Sequence, residues 1–362
     1  MRRATLVLPA TIIALVVALG TSPRAADNLV LLRFNDYLEA LRTQAGIPGL
    51  AATIVGTTDT IFERGFGYQD VERSIATRTD SPFAVDGLVQ TVVAALALRC
   101  DETPWLSIDD PISNYTADTP EPDATLRMLM THTLQGPGGL QFSYRMDRLA
   151  PLAPVIAMCN DGSFHPVENG TFRSAAAKFF RRMGMIETVP GADVVDLQDG
   201  DEGFDGATLQ RYADLLGRGA VQYSVDGKGR ATPGSASATT LSPSGGLLTS
   251  ARDLARFDLA LKTGVALQAE ELIDAWTPPR GANGQPLPHG IGWFVQQYNG
   301  EPLIWQFGES ATSSSLMILA PRRGLTLILL ANSAGLARGL NLGAGDITVS
   351  PFARVFLGLF VR

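Results

Sequence analysis

Lysine is almost missing from this chain. Among its 29 lysines and arginines in 362 residues, only Lys178, Lys228 and Lys262 are lysines, so chemistry that needs an amine has three places to sit. No basic cluster stands out and the formal net charge is −7, which argues against nucleic acid or an anionic membrane surface as the main partner. The three histidines, His132, His165 and His289, are scattered without ligand spacing, so neither a metal nor a cofactor is expected. Cysteine is equally scarce. Cys100 and Cys159 could pair in an oxidising compartment, but two separate buried thiols are the expectation.

Long apolar runs are absent apart from one at the start. "MRRATLVLPATIIALVVALGTSPRAAD" has two arginines, an apolar stretch and small residues at Ala25 and Ala26, the layout of a secretory signal. Residues 1–26 are therefore expected to be a signal peptide and the remainder to be exported, periplasmic or secreted. Pro23 and Arg24 fit a cleavage site poorly, which leaves an uncleaved anchor as the alternative. No cysteine follows the run, so nothing suggests a lipid anchor.

What is present is enough apolar material, 45% of the chain, for a full core. Residues 28–45 read as an amphipathic helix. "GLAATIVGTTDTIFERGFGYQD" reads as two strands around a Gly-Thr-Thr-Asp turn. Late in the chain, "EPLIWQFGES", "SSSLMILAP" and "GLTLILLANS" read as an antiparallel meander, followed by the apolar segment "SPFARVFLGLFVR". Strands at both ends with helical patches between them predict an α/β fold of the α+β type. Its antiparallel sheet is built from both termini and flanked by helices, with a mainly helical lobe inserted. The expected organisation is one domain over 27–362, with a sheet lobe at 27–85 and 245–362 and a helical lobe at 86–244. The acidic loop "DVVDLQDGDEGFD" lacks EF-hand spacing and reads as solvated.

Within "SPFAVDGLVQTVVAALALRC", residues 81–100, the run from Leu88 to Leu98 predicts a helix buried on most sides, with Asp86 as its N-cap. Gly87 and the amide Gln90 at its mouth fit no ordinary core helix.

Taken with "IPGLAATIVG", "LSIDDPISNY", "LRMLMTHTLQG", "MGMIET" and "PSGGLLTSARDLARF", in this order and spacing, the chain resembles the serine β-lactamase and penicillin-binding-protein family, especially its class C and esterase-like branch. The resemblance runs from about Ile47 to Asn332 and implies the β-lactamase/transpeptidase fold. It also implies a serine and a lysine three residues apart on one helix face, where the amine helps deprotonate the hydroxyl. Here those positions hold Gly87 and Gln90, which are neither nucleophile nor base. In the second motif Tyr144 stands, but Met146 replaces the asparagine that orients substrate amides. The third motif falls at Gln306-Phe307-Gly308, and the N–H groups of Gly87 and Glu309 would be the two oxyanion donors. The ligand-facing set implied is thus Gly87, Gln90, Tyr144, Met146, Gln306, Gly308 and Glu309, with Tyr144 the one retained catalytic candidate.

Two strings imitate the missing motifs. "SAAAK" at 174–178 has the wrong spacing, and "KTG" at 262–264 follows a helical pattern, so Lys262 is expected near a helix end with Gly264 closing it. The first functional reading is a catalytically silent, exported relative that binds a peptide-like or acyl ligand, or an envelope protein, in the old cleft. The alternative is an active serine hydrolase with another nucleophile, for which Ser143, Ser310 and Ser313 to Ser315 lie near the motifs.

Overall fold

The computed structural model describes residues 23–101, 106–160, 163–164 and 170–361. The expected signal segment lies, up to residue 22, outside them. Helix α1 (Pro23–Gln44) starts within its last residues and runs into the chain proper. The two N-terminal strands form as their turn residues dictate: β1 (Gly49–Val55) and β2 (Thr60–Asp70) pair antiparallel, and a short β3 (Ile75–Ala76) follows. The C-terminal strands are β4 (Phe294–Tyr298), β5 (Glu301–Glu309), β6 (Ser314–Ala320) and β7 (Leu325–Ala331). Asn299 and Gly300 both take positive φ between β4 and β5, the turn geometry that Asn-Gly favours in a two-residue hairpin. Because β7 pairs with β1, from Leu50 opposite Ala331 to Val55 opposite Thr326, the two ends of the chain make one seven-stranded sheet of order β4-β5-β6-β7-β1-β2-β3. The expected fold class is borne out.

Alternation along the strands splits the core in two. Leu50, Ala52, Ile54 and Trp305 pack with Phe34 and Leu38 of α1 and with Phe352 and Phe356 of a terminal helix, which is what the last apolar segment becomes (Pro351–Phe360). Ala51, Val55, Ile304 and Ile328 face the other way, into a larger core shared with the helices of the intervening segment. Those helices are α2 (Gln90–Asp101), α3 (Leu126–Met130), α4 (Leu152–Met158), α5 (Phe172–Arg182), α7 (Ala251–Lys262) and α8 (Ala269–Ala275); α6 (Gly206–Gly217) packs through Tyr212 and Leu215 in a small separate cluster with Val189, Val194 and Phe204, and the terminal helix is α9. Helix α2 is buried along almost its whole length, because its neighbours surround it rather than cover one face.

The two imitation motifs are structural. Ser174 is spent in a capping box with Thr171 at the start of α5. Lys262 ends α7, and Gly264, at φ +76°, closes that helix. The Lys262 ammonium donates to Asp258 at 2.6 Å and to the carbonyl of Gly56 at 2.8 Å, tying α7 to the turn after β1.

Two expectations need correction. Asp86 does not cap α2: the chain enters through a 3-10 turn, Asp86–Val89, without a side-chain cap, and Asp86 itself has φ +44°. Its carboxylate accepts instead from Ser237 Oγ at 2.7 Å and Ser313 Oγ at 2.5 Å, so hydroxyls from distant loops outcompete the local N–H groups. Cys100 is disulfide-bonded rather than a lone buried thiol, and the sequence holds one other cysteine, Cys159.

The bridge generates a prediction. Unfolding in denaturant without reductant should expose no titratable thiol, and adding reductant should expose both. Reduction should lower stability by about 2–4 kcal/mol, since it frees a long loop in the unfolded chain. Two thiols titrating before reduction would contradict the bridge.

Candidate functional site

The 3-10 turn before α2 lies against the end of β5, and two glycines permit that contact. A Cβ on Gly308 would stand 2.0 Å from the Val85 carbonyl oxygen and 2.9 Å from Gly87 N. One on Gly87 would stand 3.0 Å from the Phe307 carbonyl oxygen and 3.6 Å from Met146 Cε. Backbone therefore meets backbone here, and a side chain at 87 fits only if β5 gives by a few tenths of an ångström. Ser310 N–H donates to Ser313 O, so by the antiparallel alternation Glu309 N–H points away from β6, to the side on which Phe307 O meets Gly87.

Above this contact opens a cleft of about 600 Å³, lined among others by Gly87, Tyr144, Met146, Glu309, Asp86 and Ser237. Gln90 and Gln306 are 2% and 0% exposed and form the layer beneath. All seven expected site residues thus come together, with Gly308 in the wall between turn and strand. The hydroxyls of Ser313, Ser314 and Ser315 are committed to Asp86, the Ser333 carbonyl and the Val85 carbonyl. Ser310 Oγ lies 2.9 Å from Ser313 Oγ.

The buried layer is a chain of hydrogen bonds that includes two residues the sequence reading dismissed. His132 follows α3 with φ +52°, and its ring is 4.9 Å from that of His289 in an edge-to-face contact. Two of the three scattered histidines therefore converge, although not on a metal cluster: no group of three or more suitable ligands occurs among the described residues. His165 lies outside the described residues. The Arg145 N–H donates to His132 Nδ1 at 3.1 Å, so the proton of that ring sits on Nε2. From there every donor points one way. His132 Nε2–H donates to Gln90 Oε1 at 2.6 Å, and Gln90 Nε2 donates to the Tyr144 hydroxyl at 2.8 Å. Tyr144 donates to Gln306 Oε1 at 3.4 Å, and Gln306 Nε2 to His289 Nε2 at 3.1 Å. His289 Nδ1–H ends the series on the Gly290 carbonyl at 2.6 Å. Side bonds absorb the remaining hydrogens: Gln90 to Met146 Sδ at 2.8 Å, and Gln306 to the Gly292 carbonyl at 3.1 Å. Gly292 was missed from the sequence; a Cβ there would stand 2.4 Å from that of Ala94, so only glycine lets the loop press on α2.

Every member of this layer is neutral. Burial, aided by the nearby Arg148 charge, pushes His132 down to about 3. Burial and His132 hold His289 well below its ordinary value, while burial raises the Tyr144 phenol. The layer therefore supplies no base of useful strength, and Gly87 supplies no nucleophile.

A two-lobed fold whose helix mouth, tyrosine and end strand meet under a cleft is the serine β-lactamase and transpeptidase architecture. The chain belongs to the Beta-lactamase family, whose model matches residues 34–158 and 164–346. It is 21% identical over 302 residues to PbpX of Bacillus subtilis (strain 168), by name a penicillin-binding protein, covering 76% of this chain and 69% of that one. Among solved structures it resembles the octameric penicillin-binding protein homologue from Pyrococcus abyssi, with a TM-score of 0.69, 17% identity and 91% and 77% of the two chains covered. It also resembles a β-lactamase from Sulfitobacter sp. EE-36, with a TM-score of 0.66, 17% identity and 92% and 97% covered.

Two predictions follow from the relay. Gln90→Leu removes the acceptor of a fully buried imidazole N–H that cannot turn to water, so it should destabilise the protein by about 1–3 kcal/mol in urea melts. An unchanged midpoint would contradict the bond. A histidine with a lowered folded pKa stabilises only while it stays neutral in both states. The stability it contributes is full above its unfolded pKa near 6.5 and is lost as pH falls toward 3. His132→Gln should therefore flatten the loss of stability between about pH 6 and 4 by roughly 1 kcal/mol per pH unit, read as the difference between variant and wild type. Parallel pH profiles would exclude a neutral buried His132.

Proposed function

We propose that this protein is a catalytically silent member of the Beta-lactamase family that binds a peptide-like or acyl ligand, or a protein partner, in the cleft above Gly87. The observation that carries this reading is the buried relay. The position where the family's chemistry needs an amine to act as base holds Gln90, bonded at both ends into a neutral network with no base to spare. Loss of nucleophile and base together leaves at best a residual rate of about 10³–10⁴-fold over water. An open cleft over a filled, satisfied floor supports binding without turnover. We further propose export, which the N-terminal layout and the disulfide at Cys100 support, because such bonds persist in oxidising compartments.

One contact favours the rival hydrolase reading: Ser237 lines the cleft and donates to Asp86 at 2.7 Å. That carboxylate also holds Ser313, and a carboxylate is a poor base for an alcohol. Intact mass spectrometry decides between the readings. Wild type should form no adduct with β-lactams or activated esters, and Gly87→Ser alone should stay nearly inert. Gly87→Ser with Gln90→Lys should acylate slowly, provided β5 yields to the new Cβ. An adduct mapped to a native serine in the wild type would overturn the silent reading.

A further inference from the structure

We propose that the cleft takes a ligand bearing an amine rather than a carboxylate, a small cationic peptide or amide whose ammonium lies beside Glu309. The proposal rests on the reading of the cleft as a binding site and names the chemistry of its occupant. Among the described residues the charged side chains that line it are Asp86, Asp147 and Glu309, and no lysine or arginine does. The three are not equivalent. Asp147 is already paired with Arg145, and Asp86 is buried beneath two serine hydroxyls. Glu309 is exposed at the end of β5 and lines the cleft there. Its carboxyl is raised by partial burial and by the negative charge of Asp86, and no positive neighbour draws it back down.

At the third motif, where the family's pattern has a lysine or histidine, the strand carries Gln306, neutral and engaged below the floor. An anionic ligand would therefore enter a concave, partly desolvated space that holds like charge and offers no cation. A cleft of one sign concentrates ions of the other. An ammonium beside Glu309 would relieve its repulsion with Asp86, while the peptide-like body lies over Gly87, Tyr144 and Met146.

The test is calorimetric titration of the wild-type protein with two probes of one backbone. Alanyl-alanine amide carries an ammonium and no carboxylate, and N-acetyl-alanyl-alanine carries the reverse. The amide should bind at least about tenfold more tightly, as one charge contact at intermediate screening allows. Glu309→Gln should remove most of that preference and Glu309→Lys should invert it, while Asp147→Asn should change little. Equal or tighter binding of the acid would overturn the proposal. So would a preference unchanged in Glu309→Gln, or no binding of the amide up to about 10 mM. None of these outcomes touches acylation, so the silent reading stands or falls separately on the mass measurement.

Discussion

The site depends on one neutral amide bonded at both ends. Gln90 accepts from His132 and donates to Tyr144, and it lies at the first turn of a helix with almost no exposed surface. Because the Arg145 N–H fixes the tautomer of His132, the direction of every later bond is determined. A lysine in place of Gln90 would leave the His132 Nε2–H without the acceptor it has now. The layer works as a unit: it joins α2, the segment after α3, β5 and the loop at 289–292, and it leaves no member needing charge. The floor is rigid because reversing any one bond orphans a buried group next to it.

The same arrangement explains how closely the two halves of the site approach. Glycine at both 87 and 308 lets the turn before α2 press backbone to backbone on β5, and Gly292 lets a third segment press on α2 from the other side. Asp86 and His132 hold positive φ on either flank of the site, conformations that cost energy unless their surroundings over-determine them. For Asp86 the surroundings are two serine hydroxyls, and for His132 they are the relay. Strain, close approach and hydrogen bonding thus reinforce one another, so the scaffold around the site does not depend on a serine at 87 or a lysine at 90.

How much of this was legible follows from where each constraint comes from. The hairpin at 49–70 and the meander were readable because their turns and alternation are local. Gly87 and Gln90 stood out because a bare glycine and an amide break an otherwise apolar pattern at a three-residue spacing. The relay partners were not readable in the same way. His132 and His289 meet only after the whole inserted segment has folded, and ligand spacing was the wrong test for residues that bond to amides. One local signal existed: His132 sits inside "LRMLMTHTLQG", a stretch already singled out. Asp86 misled for a related reason, since a carboxylate before a helix reads as a cap until hydroxyls from elsewhere claim it. The pairing state of Cys100 was undetermined because spacing says nothing about approach.

A buried polar layer is an expensive way to fill a floor. Apolar residues of similar volume would do so with less desolvation, and nothing in the chemistry of Gly87 demands amides and imidazoles below it. What a directional network offers over an apolar floor is a single geometry, with the Tyr144 hydroxyl held below and its ring held at the surface of the cleft. A ligand resting on that ring meets a fixed wall rather than an adaptable one. The floor is neutral, so the charge the proposed ligand would meet stands at the rim, where Glu309 is exposed at the end of the strand that the glycines anchor. Rigidity below and charge above suit the role proposed for this cleft, selection of a ligand without turnover.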